Sequence, residues 1–189
     1  MQDLKVKLIN LVYEINRVTS ESWIKLFGFC LALSWIYAAS SQCCIPLPFN
    51  PVPFTLQSIA FLFCAWLFGK MAVYAYIIYL LQGLVGAPFF AHFGSGPAHL
   101  LGPTGGYLIG FLVAMIFMAT TRNFMRKSNF MLLCKYWTGS LIVFAFGLLR
   151  LACFVPVQKI LMIGFYPFFV GDFVIKAIIM LLLATRFKK

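Results

Sequence analysis

No aspartate, glutamate, lysine or arginine occurs from residue 26 to 69 or from 71 to 121. A soluble domain cannot carry uncharged stretches of that length over its surface. A bilayer core of roughly 30 Å takes about 20 largely apolar helical residues per crossing, so the two stretches alone supply four crossings. The composition points the same way: 63% of the residues are hydrophobic, 18% aromatic and 10% charged, far from the balance of a domain with a polar exterior. A formal net charge of +11 would fit a nucleic-acid binder if the chain were soluble. Here the basic residues lie between and beside the apolar segments, as the positive-inside rule describes. The sequence holds no Walker-type glycine-rich loop, no HExxH and no CxxC pair, so no recognisable motif for ATP or structural zinc is present.

Cys30, Cys43, Cys44, Cys64, Cys134 and Cys153 sit in or beside apolar runs. They read as small apolar fillers rather than a disulfide framework. The stretch 23–43 has the outline of a signal peptide before a lipoprotein-type cysteine. Glu14 and Glu21 in a long leading region, and Gln42 before Cys43, argue against cleavage.

The pattern predicts an all-α integral membrane protein with six transmembrane helices, one membrane domain over residues 1–189. In residues 1–22, Leu4, Leu8, Leu11, Val12, Ile15 and Val18 recur at helical spacing opposite Lys5, Lys7 and Arg17, the pattern of an amphipathic helix lying on a membrane surface. A bundle over 23–187 follows, with spans at about 26–45, 55–69, 71–87, 105–121, 130–155 and 171–185. Pro46, Pro48, Pro51 and Pro53 forbid a regular helix after the first span, and a structured loop is expected there. The second span, about 22 Å long at 1.5 Å per residue, is short.

Six spans put both termini on one side. Lys5, Lys7, Arg17, Lys25, Lys70, Arg122, Arg126, Lys127, Lys135, Arg186, Lys188 and Lys189 fall on that side, against Arg150 and Lys159 near the other. The termini are therefore expected in the cytoplasm. The proline loop, the glycine-rich loop over 88–106 and the segment 155–170 then face outward together.

Asp172 is the only acidic side chain after Glu21, and Lys176 follows it by four residues. An ionisable residue inside a membrane span is a functional candidate by default. At this spacing the pair shares a helix face, about 6 Å apart along the axis, and can meet a ligand with N–H donors and an anionic end. An intrahelical pair that only neutralises itself is the alternative, and a carboxylate near a helix start also gains from the macrodipole.

Gly102, Gly106 and Gly110 form a ridge that lets a neighbouring backbone approach. Tyr107 within it either anchors at the interface or lines a pocket. His92, Ser95 and His99 raise the question of a serine hydrolase, but nothing in the loop orients a base toward a nucleophile. Gly28 with Ala32, and Cys30, Ser34 and Ala38, make two small-residue ridges on the first span, suited to packing within the bundle or to a partner helix.

The outward segments in order, PLPFNPVPFTLQ (46–57), YLLQGLVGAPFF (79–90), LLGPTGGYLIGF (100–111) and YPFFVGDFVIK (166–176), resemble the BioY family. Its members are the biotin-specific membrane subunits of energy-coupling-factor transporters. The resemblance implies a non-enzymatic uptake protein of a bacterial plasma membrane that needs no cofactor and binds no nucleic acid. It implies a biotin pocket in the outer half, closed by the loop between the first two spans. The carboxylate of Asp172 would face the ureido N–H groups and Lys176 the valerate carboxylate, with Tyr107, Ser95, Phe90 and Asn50 completing the contacts. Lys176 stands four residues after Asp172, where three is expected from many relatives. Ser95 and Leu108 stand near positions where some carry an asparagine and a basic residue, so that His92 or Arg150 is a candidate substitute. The chain works alone, or with a transmembrane coupling subunit and ATPase subunits docked at span one. A subunit for another vitamin and a purely structural membrane protein remain the other readings.

Overall fold

The computed structural model describes residues 22–47, 50–125 and 128–187, together with Asn10, Val12 and Glu14. The amphipathic segment expected at 4–18 lies outside the described residues, apart from Asn10, Val12 and Glu14. The rest is mostly helical. Helix α1, Trp23–Gln42, is followed by a two-stranded antiparallel ribbon, β1 (Cys44–Ile45) with β2 (Phe54–Thr55), in which Cys44 pairs with Thr55 and Ile45 with Phe54. The prolines between the strands exclude helix, and the ribbon closes the base of the loop they form.

Helices α2 (Gln57–Phe68) and α3 (Lys70–Leu84) come next, joined at Gly69. With φ +61 and ψ −128, that joint occupies a region closed to residues with a Cβ. Then come a short helix α4 (Gly96–Leu101), α5 (Gly105–Thr120), a turn α6 (Arg122–Met125) and α7 (Asn129–Leu151). Beyond Pro156 the chain is helical again through α8 (Ile160–Gly164), α9 (Tyr166–Phe169), a π turn (Val170–Ile175) and α10 (Lys176–Phe187).

Three helical stretches are long and apolar enough to cross a membrane, Trp23–Gln42, Asn129–Leu151 and Val157–Arg186; α2, α3 and α5 are apolar but shorter. The last stretch begins well before the span expected at 171–185 and takes in most of the segment 155–170. Pro167 sits in the first turn of α9, where its missing N–H costs nothing, so the helical path continues through the proline.

The surface is apolar where a bilayer would be. Trp23, Ile24, Phe27 and Trp35 on α1, Leu141 and Leu149 on α7, and Ile178 and Leu182 on α10 are all exposed. The polar groups turn inward instead. Tyr37, Phe61, Tyr76 and Phe111 form an edge-to-face aromatic cluster between α1, α2, α3 and α5. The Tyr37 and Tyr76 hydroxyls donate to the carbonyls of Ala72 and Leu108, as a hydroxyl shut away from water must.

Helices α5 and α7 make the closest packing. Gly106 faces the Phe146 carbonyl and Arg150, Gly110 faces the Val143 backbone, and Gly147 admits the Tyr107 ring. Gly102, by contrast, caps α4 and takes no part in this interface. A Cβ at Gly110 would lie 2.9 Å from Val143 Cα and from its carbonyl oxygen, a clash that only backbone movement relieves. Gly110→Leu is expected to lower stability by about 1–3 kcal/mol in thermal unfolding of the detergent-purified protein. A midpoint equal to that of the unaltered chain would show that this contact does not set the packing.

Candidate functional site

A cavity opens among α2, α5, α7, the π turn and the β-ribbon loop. It encloses about 660 Å³ free of protein atoms, open solvent at its mouth included. Its direction follows from the antiparallel packing of α5 on α7. His99 and Thr104 line the end beside the loops; Tyr107, Leu108 and Phe111 descend α5 over about 6 Å; Ser140, Asp172 and Lys176 line the deep end. Val52, Pro53, Val143, Phe144 and Phe168 make the walls apolar.

The deep end is a closed polar cluster. Asp172 is 5% and Lys176 2% exposed. The ammonium of Lys176 donates to Asp172 Oδ1 at 2.9 Å, to Ser58 Oγ at 2.7 Å and to the Thr55 carbonyl at 2.6 Å. Ser58 in turn donates to Asp172 Oδ1 at 2.5 Å. All three ammonium protons therefore have acceptors, and the Phe54 ring lies 4.2 Å below Nζ as a cation–π partner. Both bonds to Asp172 fall on Oδ1, which leaves Oδ2 as an acceptor for a ligand. Gly171 makes room for Phe54, whose ring would collide with any Cβ there, and Phe54 stacks on Phe168. The last helical run thus holds the ribbon over the cavity.

The sequence-derived candidates divide. Asp172, Lys176 and Tyr107 line the cavity. Tyr107 is a pocket residue and not an interfacial anchor: it is 8% exposed, and its hydroxyl donates to the Gly164 carbonyl at 2.9 Å. Asn50 and Phe90 stand behind the lining. Asn50 donates to the Ile163 carbonyl at 2.7 Å and accepts from Val52 N–H at 2.9 Å, tying the proline loop to α8. Phe90 is fully buried and stacks on the His99 ring at 5.0 Å.

Ser95 is exposed and lies off the cavity. His92 is exposed, with Nδ1 3.5 Å from Cys44 Sγ, and Arg150 donates to the Leu101 carbonyl; neither lines the cavity. His99 Nε2 meets Thr104 Oγ1 at 3.4 Å rather than the Ser95 hydroxyl, so no histidine is held against that serine as a base. Burial, and then the neighbouring His92, holds His99 below the ordinary histidine pKa, so it is neutral at pH 7.

Sequence reasoning missed Ser58, Thr55, Gln57, Thr104 and Ser140. Gln57 and Ser58 did leave a signal, as adjacent polar residues opening an otherwise apolar helix. Gln57 lines the cavity and donates to the Tyr79 hydroxyl at 3.2 Å. Ser140 resembles any serine in an apolar helix.

Removing one member of the ion pair strands the other in an apolar interior. Lys176→Met is expected to destabilise the protein by about 3–5 kcal/mol. Asp172→Asn with Lys176→Met should recover part of that loss in thermal unfolding. A double variant no more stable than Lys176→Met would show that the buried charge is not the source of the cost.

The BioY family model matches residues 16–189. The chain is 36% identical over 148 residues to a protein of Thermotoga maritima named biotin transporter BioY, covering 77% of this chain and 86% of that one. It is 34% identical over 143 residues to a probable biotin transporter BioY of Pyrococcus horikoshii, covering 75% and 84%. Among solved structures, the S-component for biotin from an ECF-type ABC transporter aligns with a TM-score of 0.74 at 25% identity, over 86% of this chain and 90% of that one. With the fold, the order of its motif segments and these likenesses in agreement, the chain belongs to the BioY family.

Proposed function

We propose that this protein is a biotin transporter, the membrane subunit that captures biotin on the outer side and delivers it to the cytoplasm. The observation that carries this reading is the cavity's division into a polar deep end and an aromatic shaft. Biotin has the matching division, a ureido head with two N–H donors on a fused apolar ring system and an aliphatic chain. Asp172 Oδ2 is the acceptor for one of the two ureido N–H groups, which point apart on either side of the carbonyl. Phe111, Phe144, Phe168 and the Tyr107 ring cover the apolar part, at about 25 cal/mol per Å² removed from water.

Lys176 acts mainly through its neighbours here, fixing Asp172 and the ribbon. Asn50 and Phe90 position the lining, and no covalent step is involved.

The finer picture is six spans, with the short helices α2, α3 and α5 completing the crossings made by the three long ones. The termini are cytoplasmic, in the plasma membrane of a bacterium. A transmembrane coupling subunit with its ATPases docks on the exposed face of α1. In this arrangement α1 and α7 both end on the outer side. Cys43 and Cys153, just past those ends, are exposed, whereas Cys30 and Cys64 are buried. Membrane-impermeant maleimide applied to intact cells should label Cys43 and Cys153 in single-cysteine variants and leave Cys30 and Cys64 unlabelled; labelling of the first two only after lysis would reverse the orientation.

The central test is equilibrium binding of radiolabelled biotin to the detergent-purified chain beside Asp172→Asn. The substitution should weaken binding by about tenfold or more, the ~1.4 kcal/mol of a lost charged hydrogen bond. Absence of binding by the folded, unaltered protein would sink the biotin reading.

A further inference from the structure

The cavity holds one polar group that the contacts above leave unused. Ser140 on α7 is 2% exposed and lines the deep end, and its hydroxyl has no hydrogen-bond partner. A hydroxyl in an apolar helix ordinarily satisfies itself by donating to a carbonyl three or four residues back. Others in this chain do so: Ser40 donates to the Tyr37 carbonyl, Thr121 to that of Phe117, and Thr138, two residues before Ser140, to that of Cys134 at 2.8 Å. Ser140, although it lines the cavity, does not take this option. Tyr136, one turn earlier on the same face of α7, carries a second fully buried hydroxyl without a partner.

Helix α7 and the π turn are joined at this level. Trp137 Nε1 donates to the Phe173 carbonyl at 2.9 Å, and Phe144 stacks on the Phe173 ring. Ser140 lies between Trp137 and Phe144 along α7 and lines the same cavity as Asp172. Ionised Asp172 can only accept, whereas a serine hydroxyl can donate. The group that suits both at once has N–H donors flanking a carbonyl oxygen, which is a urea.

We propose that Ser140 donates the hydrogen bond that recognises the ureido carbonyl oxygen of the ligand, with Tyr136 donating to Ser140 Oγ from behind. This rests on the biotin reading of the same site. One arrangement then gives both orphan hydroxyls a partner, and donation from Tyr136 strengthens the bond that Ser140 makes. Ser140 is thus a specificity residue for the carbonyl, as Asp172 is for an adjoining N–H group.

The experiment compares binding of biotin and of 2-iminobiotin to the full purified chain and its Ser140→Ala and Tyr136→Phe variants. In 2-iminobiotin at neutral pH, N–H donors replace the carbonyl acceptor, so the proposed bond cannot form. Ser140→Ala should weaken biotin about three- to tenfold, leave 2-iminobiotin unchanged or tighter, and keep the unliganded unfolding midpoint equal or raised, because an unpartnered buried hydroxyl is gone. Tyr136→Phe should weaken biotin in the same direction by less. Three results would overturn the proposal: biotin affinity within twofold of the unaltered chain in Ser140→Ala, equal losses for both ligands, or a lowered midpoint as for a merely structural serine. No biotin binding by the unaltered chain would overturn the biotin reading as well. Intact binding by both the unaltered and Ser140→Ala chains would remove only the serine's role.

Discussion

A carboxylate and an ammonium withdrawn from water inside an apolar protein constrain everything around them. Separately, each costs several kcal/mol to desolvate, so Asp172 and Lys176 must meet each other and must find further polar partners. Ser58 and the Thr55 carbonyl supply these. That requirement brings the start of α2, the second strand of the ribbon and the last helical run to one point. The Phe54 ring under the ammonium adds a contact that is worth more in a dry site than in a wet one. The loop over the cavity is therefore held by the same charge that completes the site.

The apolar surroundings sharpen this logic across the molecule. A bilayer offers no water to a stray donor or acceptor, so buried hydroxyls have to be matched within the protein. Tyr37, Tyr76, Tyr107 and Ser41 each reach a carbonyl on another segment. These bonds cross between helices whose faces are otherwise interchangeable hydrocarbon, and they fix which helix neighbours which. Against that background a hydroxyl without a partner beside a cavity is informative in a way it would not be on a wet surface.

Much of this was legible in the sequence because its strongest signals are one-dimensional. Uncharged runs, proline clusters and the isolated Asp172–Lys176 pair can be read without knowing what lies opposite. The helical path through 157–170 was not legible, because Pro156 and Pro167 and the aromatic run between them read equally well as a loop. Ser95 and Phe90 illustrate the limit at the site. Loop residues a few positions apart can face the cavity, stand behind it or point to solvent, and the backbone conformation decides. His92 and Phe93 both adopt positive φ, which turns His92 out and leaves Ala91 and His99 as the lining. No residue pattern announces that reversal. Thr55 contributes through its carbonyl, a group that every residue has.

The spacing of the buried pair shows how a local irregularity can preserve a site. The resemblance to the family leads to an expected step of three residues between the acid and the lysine, and this chain has four. In a regular α-helix the extra residue would rotate the ammonium by about 100° relative to the carboxylate. Asp172 lies inside a π turn, Val170–Ile175, directly before Lys176. A π turn takes up an additional residue within one revolution, so a four-residue step along it covers an angle close to that of a three-residue step in an α-helix. The wider turn accommodates the four-residue step, and Lys176 reaches Ser58, Thr55 and Asp172 together. Such turns have weaker backbone packing than an α-helix. The bonds that this one aligns, in a place without water to compete for them, stabilise it.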